Sequence, residues 1–147
     1  ESVRAYKVLG HDHQHEIHLA ARQAEGAAAR RAVRFTPHLV PQNRGLLSTV
    51  YVPVRPDADP VAVKAAYEKA YAGAAFVRLV HEPDTTHVRH SNFADVAVDV
   101  DTHCGLAIAR GAIDNLVKGG SGQAVQNVNL AMGWAETAGL PAAGGGP

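Results

Sequence analysis

Three imidazoles and two carboxylates fall within the run Gly10-His11-Asp12-His13-Gln14-His15-Glu16-Ile17, the densest chemistry in the chain. Imidazole titrates near neutrality, so a single His can take a proton and return it at working pH. Glu16 follows His11 by five residues and His13 by three, at the expected start of a helix, close enough to orient one ring. His11 with His15, or His15 with His18, also lies about one helical turn apart, which suits a metal pair. On spacing alone, acid/base chemistry, a metal site and a surface cluster without a role stand level.

Weaker signals follow. Asn115-Leu116-Val117-Lys118-Gly119-Gly120-Ser121-Gly122-Gln123 is a Gly-rich loop with a Lys that feeds a helix N-terminus. Free backbone N–H groups there can cradle an anion. The Lys precedes the glycines, so the run does not match a phosphate loop, in which Lys follows the last Gly. Arg44 sits beside Gly45 in a turn and can aim a bidentate fork at a carboxylate or phosphate, although a solvated turn Arg is commoner. His90-Ser91-Asn92 offers a hydroxyl and an amide, with an ordinary turn as the plainer reading.

The elements that must position these groups are legible as periodicities. A helix is expected over 11–23 after the Gly10 break, ending in the small residues Gly26 to Ala29. Arg31 to Val40 and Leu46 to Val54 read as strands, with Val50, Val52 and Val54 on one face. Pro60 opens a helix to about Tyr71, striped by Val63, Ala66, Tyr67 and Ala70. Phe76 to Val80 is a further strand. Val96, Val98 and Val100 alternate with Asp95, Ala97 and Asp99 in a strand expected to be half exposed. A hairpin turn at Asp101 to His103 leads into a strand holding Cys104, Leu106 and Ile108. The last helix covers about Gln123 to Met132. No charged residue lies between Lys118 and Glu136, and neutral amides (Gln123, Gln126, Asn127, Asn129) oppose the apolar stripe Val125, Val128, Met132. Such a helix suits pressure from both sides, one neighbour being another domain or a ligand. The order ββα–βββ–α, without regular βα alternation, predicts an α+β fold with helices on one face of a sheet.

Composition bounds the function. The chain has 147 residues, 46% hydrophobic and 19% charged, which suits one globular domain. Fourteen basic residues balance fourteen acidic ones, against a domain built mainly to hold nucleic acid. No apolar run approaches the roughly 20 residues needed to cross a bilayer, and no signal-peptide pattern opens the chain. The single Cys104 cannot form an internal disulfide, which points to a cytoplasmic home and a small buried apolar role for that residue. The first residue is Glu1 and not Met, which suggests part of something longer.

Together the pieces resemble the N-acetyl-gamma-glutamyl-phosphate reductases over nearly the whole chain. That family's Tyr followed by His-x-His-x-x-Glu-Ile is matched by Tyr6, His11, His13, Glu16 and Ile17. Its Phe-Thr-Pro-x-Leu-x-Pro and Arg-Gly are matched by Phe35 to Pro41 and Arg44-Gly45, its Ala-Tyr-Glu-Lys-Ala-Tyr by Ala66 to Tyr71, and its Ser-Asn by Ser91-Asn92. The closing Ile-Asp-Asn-Leu-Val-Lys-Gly and Gly-x-Ala-Val-Gln-x-x-Asn-Leu span Ile113 to Leu130 and are the most specific block. Three positions depart from the pattern: Asp12 replaces an Arg, His15 a Pro and His90 a Gly. Asp12 reverses a charge beside an anionic substrate.

The resemblance implies the C-terminal half of a two-domain, NADPH-dependent enzyme of arginine biosynthesis, similar in plan to semialdehyde and glyceraldehyde-phosphate dehydrogenases. In such enzymes a Cys thiolate attacks an acyl phosphate and expels phosphate. Hydride from NADPH then reduces the thioester to the aldehyde. The nucleotide-binding domain and the nucleophilic Cys would precede Glu1, so the chain alone should be inactive, and Cys104 matches no catalytic motif. Residues 1–140 would form a substrate-binding and dimerisation domain with a mixed, largely antiparallel sheet, and 141–147 a flexible tail. His11 would be the acid/base group, with His13 and Glu16 in support. Arg44 would hold the substrate's carboxylate or phosphate, and Ser91 and Asn92 would line the pocket. Gly122, Gln123, Gln126 and Asn127 would lie near the nicotinamide of NADP. No metal is implied. The implied partners are the protein's own N-terminal domain, a small acyl phosphate, and further copies in a dimer or tetramer. On sequence, three alternatives stay open: a reductase of carrier-protein-bound aminoadipyl phosphate in lysine biosynthesis, a non-catalytic dimerisation domain, and a His-rich metal-binding module.

Overall fold

The computed structural model describes residues 1–25 and 32–142. They fall into two units, Glu1–Asn43 and Arg44–Pro147.

In the first unit, β1 (Arg4–Ala5) pairs antiparallel with β2 (His38–Leu39), placing Arg4 opposite Leu39. Helix α1 (His13–Glu25) carries Glu16 in its first turn and Arg22 in its last, each the charge its dipole end favours. The strand expected over Arg31 to Val40 shrinks to two residues. The reason is a side chain: Gln14, the buried residue of α1, donates through Nε2 to the Val33 carbonyl at 2.6 Å and accepts from Phe35 N–H at 2.9 Å. Those backbone groups are spent on α1 and not on a ladder. Arg31 and the stretch Gly26 to Ala29 lie outside the described residues.

The second unit is built on a four-stranded sheet in the order β3 (Leu46–Pro53), β6 (Leu106–Ile113), β5 (Ala94–Asp101), β4 (Val77–Leu79). β3–β6 and β6–β5 are antiparallel and β5–β4 is parallel, so the α+β, largely antiparallel expectation holds. Val98, Ala109 and Val50 share one cross-strand row, and Val100, Ala107 and Val52 the next, which gives that face its apolar surface. Helix α2 (Pro60–Tyr71) starts where Pro predicts, with Asp59 capping Val61 N–H at 2.9 Å. Of its expected stripe only Val63 and Tyr67 are half-buried; Ala66 and Ala70 are exposed. The short α3 (Thr85–Val88) is capped by Asp84. A π-helical turn (Val117–Ser121) leads into α4 (Gly122–Ala131).

Two expectations need correction. β5, expected to be half exposed, is better covered than that at Asp95, which is buried because Arg78 grips its two oxygens at 2.6 and 3.0 Å. Asp99 is likewise paired with Arg110, and with Lys64 at 3.7 Å. Cys104 is neither in a strand nor buried. The reversal after β5 needs more residues than expected, with Gly105 at φ +66°, so Cys104 is exposed in the turn and donates its N–H to Asp101. The Pro141 carbonyl accepts the Asn92 N–H at 3.0 Å, and residues 143–147 of the expected tail lie outside the described residues.

Candidate functional site

The first unit brings His11, His13 and Glu16 together at the mouth of α1. His11 lies just before the helix, and its ring stands edge-on to Tyr6 (centroids 5.4 Å apart, 75°) and to Phe35 (5.2 Å, 74°). The His13 ring is 4.6 Å from that of His11. Each ring has its own partner. His11 Nδ1 accepts the backbone N–H of His13 at 3.2 Å, and its Nε2 lies 3.3 Å from the Tyr6 hydroxyl. The Glu16 carboxylate stands 3.8 Å from Nε2 of His13, so the ring it can orient is His13 and not His11. Both members of that pair are more than half exposed, leaving the imidazole accessible to a reactant. His18 is committed elsewhere, with Nε2 3.0 Å from both Gln14 Nε2 and the Val33 carbonyl. Among the described residues no three His, Cys, Asp or Glu side chains form a metal-binding group.

In the second unit, Arg44 meets a partner that sequence reading assigned no role. Its Nε and Nη2 donate to the two oxygens of Asp114 at 2.9 and 3.2 Å. Asp114 is fully buried and also accepts the N–H groups of His90, Leu116 and Val117 at 2.8, 2.8 and 3.0 Å. Burial alone would raise its pKa. The Arg44 guanidinium and the three N–H groups outweigh that and hold the carboxyl well below the usual range. The available signal was Asp at the end of a strand followed by a tight turn, where Asp binds N–H groups two and three residues on.

Ser91 and Asn92, expected to line a pocket, are fully buried. Ser91 Oγ donates to the Val88 carbonyl and accepts the Phe93 N–H, closing the turn after α3. Asn92 Nδ2 donates to Gln126 Oε1 at 2.9 Å. Lys118 Nζ donates to that same oxygen at 2.7 Å, and Gln126 Nε2 donates to Glu136 at 2.6 Å. Gly122 is set by close approach: a Cβ there would collide with Asn92 Oδ1 and stand 2.8 Å from two Val117 atoms. Gly122 and Gln126 therefore pack α4 onto its own unit. Gln123 and Asn127 form an accessible pair at 2.9 Å on the outer side.

α4 reverses the usual arrangement of a helix. Gln126 and Asn129 are buried, while Val125, Val128 and Met132 are 42%, 52% and 61% exposed, beside an exposed Trp134. An amide-in, apolar-out helix leaves a contiguous apolar strip unpartnered within its unit. The groove beneath α2, lined by Lys64, Tyr67, His81 and Asp99 among others, holds none of the expected site residues. No helix among the described residues is long and apolar enough to cross a membrane.

Residues 1–115 match the family model described as semialdehyde dehydrogenase, dimerisation domain, and the chain belongs to that family. It is 47% identical over 144 residues to the N-acetyl-gamma-glutamyl-phosphate reductase of Geobacter sp. (strain M21), covering 95% of the chain and 41% of the relative. It is 46% identical over 143 residues to the reductase of that name from Rhodospirillum rubrum, covering 95% and 40%. It is 41% identical over 144 residues to the one from Brevibacillus brevis, covering 96% and 41%. The chain thus spans about two fifths of the length of the curated relatives it matches.

Proposed function

We propose that this chain is the C-terminal, substrate-binding and dimerisation part of an NADPH-dependent reductase that converts N-acetyl-gamma-glutamyl phosphate to the semialdehyde in arginine biosynthesis. The observation that carries the reading is the cluster of His11, His13 and Glu16, in a chain 41–47% identical to reductases of that name. A thiol on the remainder of the protein attacks the acyl carbon, and phosphate leaves. His13, supported by Glu16, takes the thiol proton. Imidazole with a carboxylate beside it is suited to that exchange, because the carboxylate stabilises the imidazolium while the ring holds the proton.

NADPH supplies the hydride when bound. Toward it this chain offers Gln123 and Asn127, whose outward amides match the hydrogen-bonding character of a carboxamide. Gly122 and Gln126 support them from below. Arg44, held by Asp114, serves the anionic end of the substrate, and Ser91 and Asn92 shape the ground beneath it. The apolar strip of α4 fits against the protein's own nucleotide-binding domain. The Val50, Val52 and Val98 sheet face fits a second copy, giving a dimer or tetramer of a cytoplasmic enzyme.

The test is reconstitution. Purified chain alone should give no NADP-dependent turnover, and chain combined with the N-terminal remainder should reduce N-acetyl-gamma-glutamyl phosphate in preference to aminoadipyl phosphate on its carrier. Turnover by the isolated chain, or preference for the carrier-bound substrate, would overturn the reading.

A further inference from the structure

One side chain joins helix α1 to the aromatic wall of the imidazole cluster. Gln14 follows His13 directly and is buried. Its Oε1 accepts the Phe35 N–H at 2.9 Å, and its Nε2 donates to the Val33 carbonyl at 2.6 Å. An N–H only donates and a carbonyl only accepts, so both ends of the amide are assigned and the group cannot turn over. His18, one turn further along α1, stands 3.0 Å from the same Nε2 and the same carbonyl, closing the donor side of the clamp. Only Arg34 separates the two gripped residues, so the backbone that presents the Phe35 ring is held on both sides of it. That ring stands edge-on to His11 at 5.2 Å and lies 5.8 Å from His13.

We propose that Gln14 is a positioning residue of the candidate site and acts through Phe35; this rests on the reading of the cluster as an active centre. The Gln14 amide is spent on Val33, Phe35 and His18, so it reaches no reactant itself. It sets the distance from the mouth of α1 to the Phe35 ring. The ring packs against both imidazoles, so the directions of their nitrogens follow from where the amide holds the 33–35 segment. Chemistry is sensitive to such placement, and a displacement of about 1 Å can cost about 10²-fold. The backbone ladder cannot replace the clamp, because β1 pairs only with His38 and Leu39 and stops short of Phe35. The amide takes over where that ladder ends. Its length and its polarity are both required. Asn is one methylene shorter, and Glu keeps the acceptor for Phe35 N–H but sets an oxygen against the Val33 carbonyl.

The experiment uses the full-length reductase, with circular dichroism and a melting curve for every variant. Gln14→Met keeps the length of the side chain and loses both bonds, while Phe35→Leu keeps an apolar side chain and loses the ring. Each should lower kcat about tenfold, short of the loss from a full misplacement, with KM for NADPH and for the acyl phosphate unchanged. If Gln14 acts through Phe35, the double variant should also stand about tenfold down, whereas independent effects would multiply to about a hundredfold. Gln14→Glu should lose kcat to a similar extent, and it takes the place of Gln14→Met in the cycle if that variant does not fold. Multiplying effects, a raised KM with unchanged kcat, or near-normal kcat in either folded single variant overturns the proposal. If that happens while His13→Ala is inactive, the positioning role falls and the active-centre reading stands. If His13→Ala is near normal as well, both fall.

Discussion

Arg44 and Asp114 are 70 residues apart in the chain, yet the guanidinium meets both carboxylate oxygens, at 2.9 and 3.2 Å. Asp114 simultaneously closes the turn into the π-helical segment and holds the N–H of His90. One carboxylate thereby ties the start of β3, the end of α3 and the end of β6 into one corner.

Removing that charge should be costly. Asp114→Asn should destabilise the fold toward the lower end of the about 3–5 kcal/mol seen when one partner of a buried pair is lost, because Arg44 still reaches solvent. The folded pKa is depressed, so the stability it contributes is present in full above the ordinary Asp value. That stability is lost as pH falls through the depressed folded value. Urea midpoints measured from neutral to acid pH should show a steep acid loss in the native protein and a shallower one in the variant. Equal slopes would contradict the assignment.

Gly122→Ala tests the contact between α4 and the Asn92 turn. A Cβ there collides with Asn92 Oδ1 and stands 2.8 Å from two Val117 atoms, of which the carbonyl oxygen is backbone and cannot swing aside. Destabilisation of about 1–3 kcal/mol is expected from overpacking. An unchanged melting curve would show that α4 can shift without loss.

Cys104→Ser should leave both turnover and stability close to wild type, within about 0.5 kcal/mol, as for surface positions generally. The thiol is exposed in a turn, and its pKa is pushed up by its hydrogen bond to Asp101, the wrong direction for a nucleophile. Loss of turnover in Cys104→Ser would mean that the nucleophile had been misplaced.

Much of the scaffold was legible because local rules and tertiary packing agreed. Pro60 after Asp59 marked α2 to the residue, and the Val alternation located β5. The reading failed where a side chain took over a backbone's hydrogen bonds, as Gln14 does at Val33 and Phe35, since no periodicity records such an exchange. It failed again at Asp95, where alternation suggests solvent but Arg78 from a neighbouring strand makes burial tolerable. The residues of the candidate site, His11, His13 and Glu16, were recognisable as a group. Which ring Glu16 pairs with was not, because Glu16 is within reach of either by spacing and only geometry shows which it faces.

Self-association is tested on the sheet face. Val50 is 47% exposed on one chain, so Val50→Lys should cost a single protomer little, about 0.5 kcal/mol or less. Buried against a second copy it should shift the protein toward monomer in light scattering. A variant with wild-type mass at micromolar concentration would remove this face from the interface.

The most direct test of the account is steady-state turnover of N-acetyl-gamma-glutamyl phosphate by the full-length enzyme carrying His13→Ala, with circular dichroism to show that the fold is intact. If His13, backed by Glu16 at 3.8 Å, moves the thiol proton, turnover should fall by about 10²–10⁴ with the fold unchanged. Near-normal turnover by folded His13→Ala would contradict the placement of acid/base chemistry in this cluster.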